Sequence, residues 1–279
     1  MDKKIKIHIF EVGKVCVSPA LPFGGQNCSL IKASGIFTRK SKRMWLPVSS
    51  YLIEHPKGKI LVDCGWDRSM SPCRIYDRNA QIKSLGSPIL YFVNQGVVDK
   101  TIDEYLKDMN IKTSDLDYVL LTHLDCDHAN GLNQVKDAKR IMTAKDEMNF
   151  ALKHSFVRYQ KKWWKDINIH LFDWKDQAGP FLKSYDLFND HSIELINIPG
   201  HSDGLFAVKI TNDEGKYVLL YSDGGYARKS WEKLIPSGVA ANRKDQMKSL
   251  KWIKKMSEND LCVASLANHE KTNQKIIVI

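Results

Sequence analysis

The chain has 279 residues, with 42 Lys and Arg against 32 Asp and Glu, a formal net charge of +10 and a pI near 9.2. A hydrophobic share of 43% excludes disorder as the main state, and a chain of this size buries roughly three quarters of its unfolded surface without needing staples. Six scattered cysteines with no C-x-x-C pair exclude a zinc finger and a disulfide scaffold and predict a reducing, cytoplasmic home.

The opening MDKKIKIHIFEVGKV alternates charged and apolar residues and is expected to form a strand, not a leader. Further strands are predicted from β-branched runs at 49–54, 59–63, 118–122, 140–143, 193–198, 205–210, 217–221, 261–265 and 276–279, after the first at 4–10. Most of these runs are apolar throughout, which predicts strands covered on both faces. Between them, 97–109 places Val98, Ile102, Leu106 and Met109 on one helical stripe, and 243–256 does the same with Met247, Leu250, Ile253 and Met256. The DEGKY turn at 213–217 predicts a hairpin between its flanking strands. No repeat, low-complexity tract or long linker divides the chain, and no apolar run reaches the 18 or so residues of a membrane span. The expectation is one α/β domain over 1–279, two sheets inside and helices outside, with lid-like insertions near 66–100 and 150–190.

The chemistry concentrates in Thr122-His123-Leu124-Asp125-Cys126-Asp127-His128-Ala129-Asn130-Gly131, directly after a buried strand. Four metal-competent side chains fall within six residues, a spacing that in a strand-end loop can aim ligands at two neighbouring ions. The plainer alternative is a polar turn in which Asp127 or Asn130 caps a helix. Against it, His201, Asp223 and His269 each follow an apolar strand, and polar residues at the ends of neighbouring strands converge. His8, His55, His154, His170 and His191 have no such placement.

These residues, with Leu61-Val62-Asp63-Cys64-Gly65, Pro199-Gly200-His201-Ser202, Tyr221-Ser222-Asp223 and Asn268-His269, resemble the metallo-β-lactamase fold superfamily over nearly the whole chain. The resemblance implies a four-layer αβ/βα sandwich, two mixed sheets flanked by helices, with a dinuclear metal site in a cleft. Position by position, it implies that His123, Asp125 and His201 hold a first ion, that Asp127, His128 and His269 hold a second, and that Asp223 bridges them. One position departs: the usual H-x-H-x-D-H reads H-x-D-x-D-H here, with Asp125 in place of the second His. A harder, charged donor makes Mn²⁺ or Fe²⁺ better tolerated, with Zn²⁺ the first expectation and two divalent ions per chain the expected load.

Tyr226, three positions after Asp223, resembles the N-acyl homoserine lactone lactonase branch of that superfamily, in which a Tyr at this spacing bonds the substrate oxygen that develops charge. The implied reaction is opening of a lactone or related ester by a metal-bridging hydroxide, with Tyr226 as donor and Asp127 carrying the proton. Tyr226 as a loop aromatic covering the core is the alternative. Trp163, Trp164 and Trp174, and Phe23 beside Gly24-Gly25, are candidate substrate walls or, alternatively, core or dimer contacts. A thioesterase or phosphodiesterase of the same fold is the nearest rival, and a metal-binding or ligand-sensing protein with an impaired site is the other. The basic residues are spread without a polybasic arm, so no nucleic-acid or membrane partner is expected, and a monomer or homodimer suffices.

Overall fold

The ten predicted apolar runs all become strands, and three further short strands join them. The structure, a computed structural model, describes residues 4–155 and 158–279. In chain order the strands are β1 (Lys6–Val17), β2 (Met44–His55), β3 (Gly58–Val62), β4 (Gln95–Val97), β5 (Tyr118–Leu120), β6 (Ile141–Ala144), β7 (Ile169–Phe172), β8 (Ser184–Asp186), β9 (Ile193–Asn197), β10 (Phe206–Thr211), β11 (Tyr217–Leu220), β12 (Cys262–Leu266) and β13 (Ile276–Val278). One sheet runs β13-β1-β2-β3-β5-β6-β7 with β4 on β1, and the other runs β12-β11-β10-β9-β8. Both are mixed: β3, β5, β6 and β7 are parallel, as are β11 and β12, and the other pairs are antiparallel. The predicted hairpin is present as β10 and β11, closed by Asn212 and Lys216.

Period-two alternation sorts each strand's side chains between two cores. In β3, Ile60 and Val62 face the second sheet, where Leu195, Phe206, Val208 and Val218 meet them. Leu61 and its neighbour Leu52 of β2 face the other way, against helical residues Leu85, Ile102 and Leu106. On the far side of the second sheet, Ala207, Leu219 and Tyr221 pack under Leu250 and Ile253 of the helix Arg243–Ser257. The result is helix, sheet, sheet, helix. Truncating a residue such as Ile253, which is fully buried, to Ala would cost about 2–5 kcal/mol.

The two predicted helices differ in their fit. Arg243–Ser257 starts where Asn242 accepts from the amides of Lys244 and Asp245, a side-chain cap of the preferred type. The other is shorter than its apolar stripe, spanning Ile102–Asp108. Glu104 accepts from the Thr101 amide, which sets the start at Thr101, and the preceding residues pair as β4 instead. Segment 66–100 packs two short helices, Arg78–Leu85 and Pro88–Val93, beside β4. Among the described residues no helix is long and apolar enough to cross a membrane.

Candidate metal centre

Strand ends of both sheets meet at one place. β5 leads into His123 and Asp125, the short helix Cys126–Ala129 carries Asp127 and His128, and β9, β11 and β12 lead to His201, Asp223 and His269. Two glycines let the loops approach. A Cβ on Gly131 would sit 2.5 Å from the Cys64 carbonyl oxygen, and one on Gly200, at φ +132°, would sit 2.2 Å from the Gln246 amide nitrogen.

All seven predicted metal-competent residues are brought together, in two adjoining groups. His123, Asp125, His201 and Asp223 form one, and Asp127, His128 and His269 form the other, each group with ligand atoms within 4.8 Å of one another. Asp223 faces both. Its Oδ2 lies 3.9 Å from His123 Nε2 and 3.5 Å from His201 Nε2, while its Oδ1 lies 3.5 Å from His128 Nε2 and 3.1 Å from His269 Nε2. Donors bound at 2.0–2.1 Å in a tetrahedron lie about 3.4 Å apart, so these separations suit ions. His123 Nε2, His128 Nε2 and Asp223 Oδ1 are moreover buried with no hydrogen-bond partner among the described residues, a costly state for atoms without a ligand.

The outer nitrogens explain the inward aim. His128 Nδ1 meets Asp63 Oδ2 at 2.8 Å, His269 Nδ1 the Pro47 carbonyl at 2.9 Å, and His201 Nδ1 the Val239 carbonyl at 3.3 Å. His123 Nδ1 lies 3.2 Å from the Thr122 hydroxyl, which donates to Asp63 and meets Ser222 Oγ at 2.7 Å. A carbonyl or carboxylate at Nδ1 holds the proton there and leaves Nε2 as the donor toward the centre. Asp63 (φ 58°) and Ser222 (φ 46°) both adopt left-handed backbone, a local strain that recurs at functional sites.

The second group fits a cation without obstruction; in the first, His123 Nε2 is left open but a guanidinium occupies the place beside Asp125 and His201. Arg158 holds Asp125 as a two-pronged clamp, Nε to Oδ1 at 2.6 Å and Nη2 to Oδ2 at 2.7 Å. The same Nη2 reaches His201 Nε2 at 2.7 Å, and Nη1 donates to the His201 carbonyl at 2.9 Å. An imidazole nitrogen has one in-plane bonding direction, and at His201 Nε2 Arg158 Nη2 at 2.7 Å and Asp125 Oδ2 at 2.9 Å already crowd it. Burial would raise the Asp125 carboxyl, but Arg158, His123 and His201 hold it well below the usual carboxylate range. Asp223 is likewise held well below that range, its burial outweighed by His269 and His128. His128 is pushed up, its burial outweighed by Asp63 and Asp223.

A cavity of about 620 Å³ opens onto Asp125, Asp127 and His201. Tyr226 lines it, stacked on His269 with ring centroids 4.9 Å apart and planes 15° apart. Burial and the nearby Asp223, Asp125 and Asp127 push its hydroxyl well above the ordinary range. The apolar walls are Val15, Val17, Leu21, Leu90, Val93 and Val239. The aromatic residues expected as walls lie elsewhere: Trp163 and Trp164 are buried in the core between the first sheet and its helices, Trp174 packs on Phe172 and Phe206, and Phe23 lies under Lys229. Their size made them core, and aliphatic residues of β1 took the wall. Arg158 is the site residue the sequence did not single out; its only signal was the extra carboxylate at Asp125, which requires a cation near it.

Residues 43–218 match the model of the metallo-beta-lactamase superfamily. The N-acyl homoserine lactonase AttM of Agrobacterium fabrum is 25% identical over 224 residues, covering 76% of this chain and 78% of that protein. The N-acyl homoserine lactonase of Bacillus cereus is 25% identical over 196 residues, covering 68% and 69%. A solved N-acyl homoserine lactone hydrolase with N-hexanoyl-L-homoserine bound at its catalytic metal centre superposes with a TM-score of 0.70 at 20% identity, over 95% of this chain and 92% of that one. AidC, a dizinc quorum-quenching lactonase, superposes with a TM-score of 0.59 at 14% identity, over 99% and 94%. With its two packed mixed sheets, flanking helices and a His and Asp cluster at the strand ends, the chain belongs to the metallo-beta-lactamase superfamily.

Proposed function

We propose that this protein is a metal-dependent hydrolase that opens a lactone of the N-acyl homoserine lactone type or a closely related ester. The observation that carries the reading is the cavity: about 620 Å³, lined by aliphatic residues such as Val15, Val17, Leu21 and Leu90 and by Phe150, and bordering Asp125, Asp127, His201 and Tyr226 with Lys153 and Arg158. Such a shape accepts an acyl chain and presents the ring at its head to the polar end. The lactonase relatives support the same substrate class.

Asp127, His128, His269 and Asp223 would hold a divalent ion, zinc first and manganese or iron as alternatives by donor type. When bound, such an ion supplies a water of lowered pKa and polarises the attacked carbonyl. Tyr226 keeps its phenolic proton across the physiological range, because burial and three carboxylates oppose its loss. It therefore donates to the carbonyl oxygen as charge develops there. Asp127 borders the cavity 3.5 Å from His269, where its carboxylate can carry a proton to the departing ring oxygen. Two ions is the count that the family resemblance implies and that two adjoining ligand groups would suit, and the dizinc neighbour supports it; the position of Arg158 bears on that count.

Base uptake on opening of N-hexanoyl homoserine lactone, followed by pH-stat beside an acyl thioester and bis-p-nitrophenyl phosphate, tests the reading. Lactone turnover that a chelator abolishes and zinc restores is expected. Turnover of the thioester or the phosphodiester alone would overturn the lactonase assignment.

A further inference from the structure

We infer that the guanidinium of Arg158 takes the place of the first metal ion, so that the chain carries one divalent ion per molecule, held by Asp127, His128, His269 and Asp223. Three observations converge. The first is the crowding of His201 Nε2, whose one in-plane direction already meets Arg158 Nη2 at 2.7 Å and Asp125 Oδ2 at 2.9 Å, leaving none for a metal ion. The second is that Arg158 is held by its whole fork: Nε and Nη2 to the two oxygens of Asp125, Nη1 to the His201 carbonyl. It also lies 5.2 Å from the Tyr159 ring centroid and 5.8 Å from that of Phe150. A planar cation gripped on its edge by directed bonds is a fixed part of the site.

The third is the sequence itself. Where the family motif has a neutral imidazole, this chain has Asp125, and a carboxylate is the partner that a guanidinium matches with two parallel bonds. One divalent ion and one guanidinium supply three positive charges against the three carboxylates of the ligand groups, Asp125, Asp127 and Asp223, while Asp63 stands behind His128. A second ion would have to displace the guanidinium and break its two-pronged pair with Asp125, which costs the paired bonds of both groups.

This inference rests on reading the cluster as a metal centre, and it is tested without any substrate. The protein is saturated with Zn²⁺, dialysed to equilibrium and its metal counted, with Co²⁺ absorption as a second measure. One ion per wild-type chain is expected, lost in His269→Ala and retained in His123→Ala. Arg158→Gln is expected to bind two. Two ions in the wild type, one ion that His123→Ala removes and His269→Ala does not, or a single ion in Arg158→Gln would each overturn the inference. Should Arg158→Gln not fold, the wild-type count and the two His variants decide the matter. No zinc at all would overturn the metal-centre reading as well, whereas one ion without lactone turnover would leave this inference standing and sink only the substrate assignment.

Discussion

The Asp63 carboxylate stands behind His128, Oδ2 to Nδ1 at 2.8 Å, with both residues fully buried. Asp63 also accepts from the Thr122 amide and hydroxyl and from Asn268, so one carboxylate orients His128 and ties the residues next to His123 and His269 together. Replacing it by Asn keeps the shape but removes the charge that fixes the His128 proton on Nδ1. Asp63→Asn is expected to weaken zinc binding about 10–100-fold with the fold retained. Competition against a chromophoric chelator measures it, and an unchanged zinc affinity would show that Asp63 serves the fold alone.

Tyr226 separates a chemical role from a packing one. Its ring covers His269 whether or not its hydroxyl is used, so Phe preserves the stacking and removes only the donor. Tyr226→Phe is expected to lower lactone kcat about 100-fold, the usual effect of losing one oxyanion donor, with metal content unchanged. Equal turnover in the two proteins would reduce Tyr226 to a wall.

Glu147 gives the protein a pH-dependent stability. It is fully buried, accepting from Ser202 Oγ at 2.5 Å and from the Leu124 amide at 3.0 Å. Burial pushes its carboxyl from 4.5 up to about 7, with those two bonds and Arg158 opposing. The folded state therefore favours the protonated form, and the stability this contributes is fully present below pH 4.5 and lost as the pH rises through about 7. Glu147→Gln removes that loss, a difference on the order of 3 kcal/mol between pH 4 and pH 8 relative to wild type. Urea unfolding of both proteins at the two pH values checks it, and parallel stabilities would contradict it.

Local pattern carried much of this molecule. Apolar runs such as IELINI and YVLLY are strands because nothing but burial on both faces accommodates them. The spacing of His123, Asp125, Asp127 and His128 placed a polar cluster at a strand end before any contact was known. Short strands such as β4 and β8 escaped because three residues carry no period, and their ladders come from partners distant in sequence. The helix at 102–108 came out shorter than its apolar stripe because Thr101 and Glu104 close its start.

What the sequence by itself determined was the fold class and the seven clustered His and Asp side chains, since both follow from hydrophobic period and from the position of polar residues relative to strands. What only the tertiary structure decided was which cation answers Asp125. Any of the 42 Lys and Arg was a candidate by composition; only folding carries Arg158, 33 residues away, onto that carboxylate and onto His201. Pairing of this kind depends on distance in space, where the Coulomb interaction and the directed N–H bonds act, and separation along the chain leaves no trace of it.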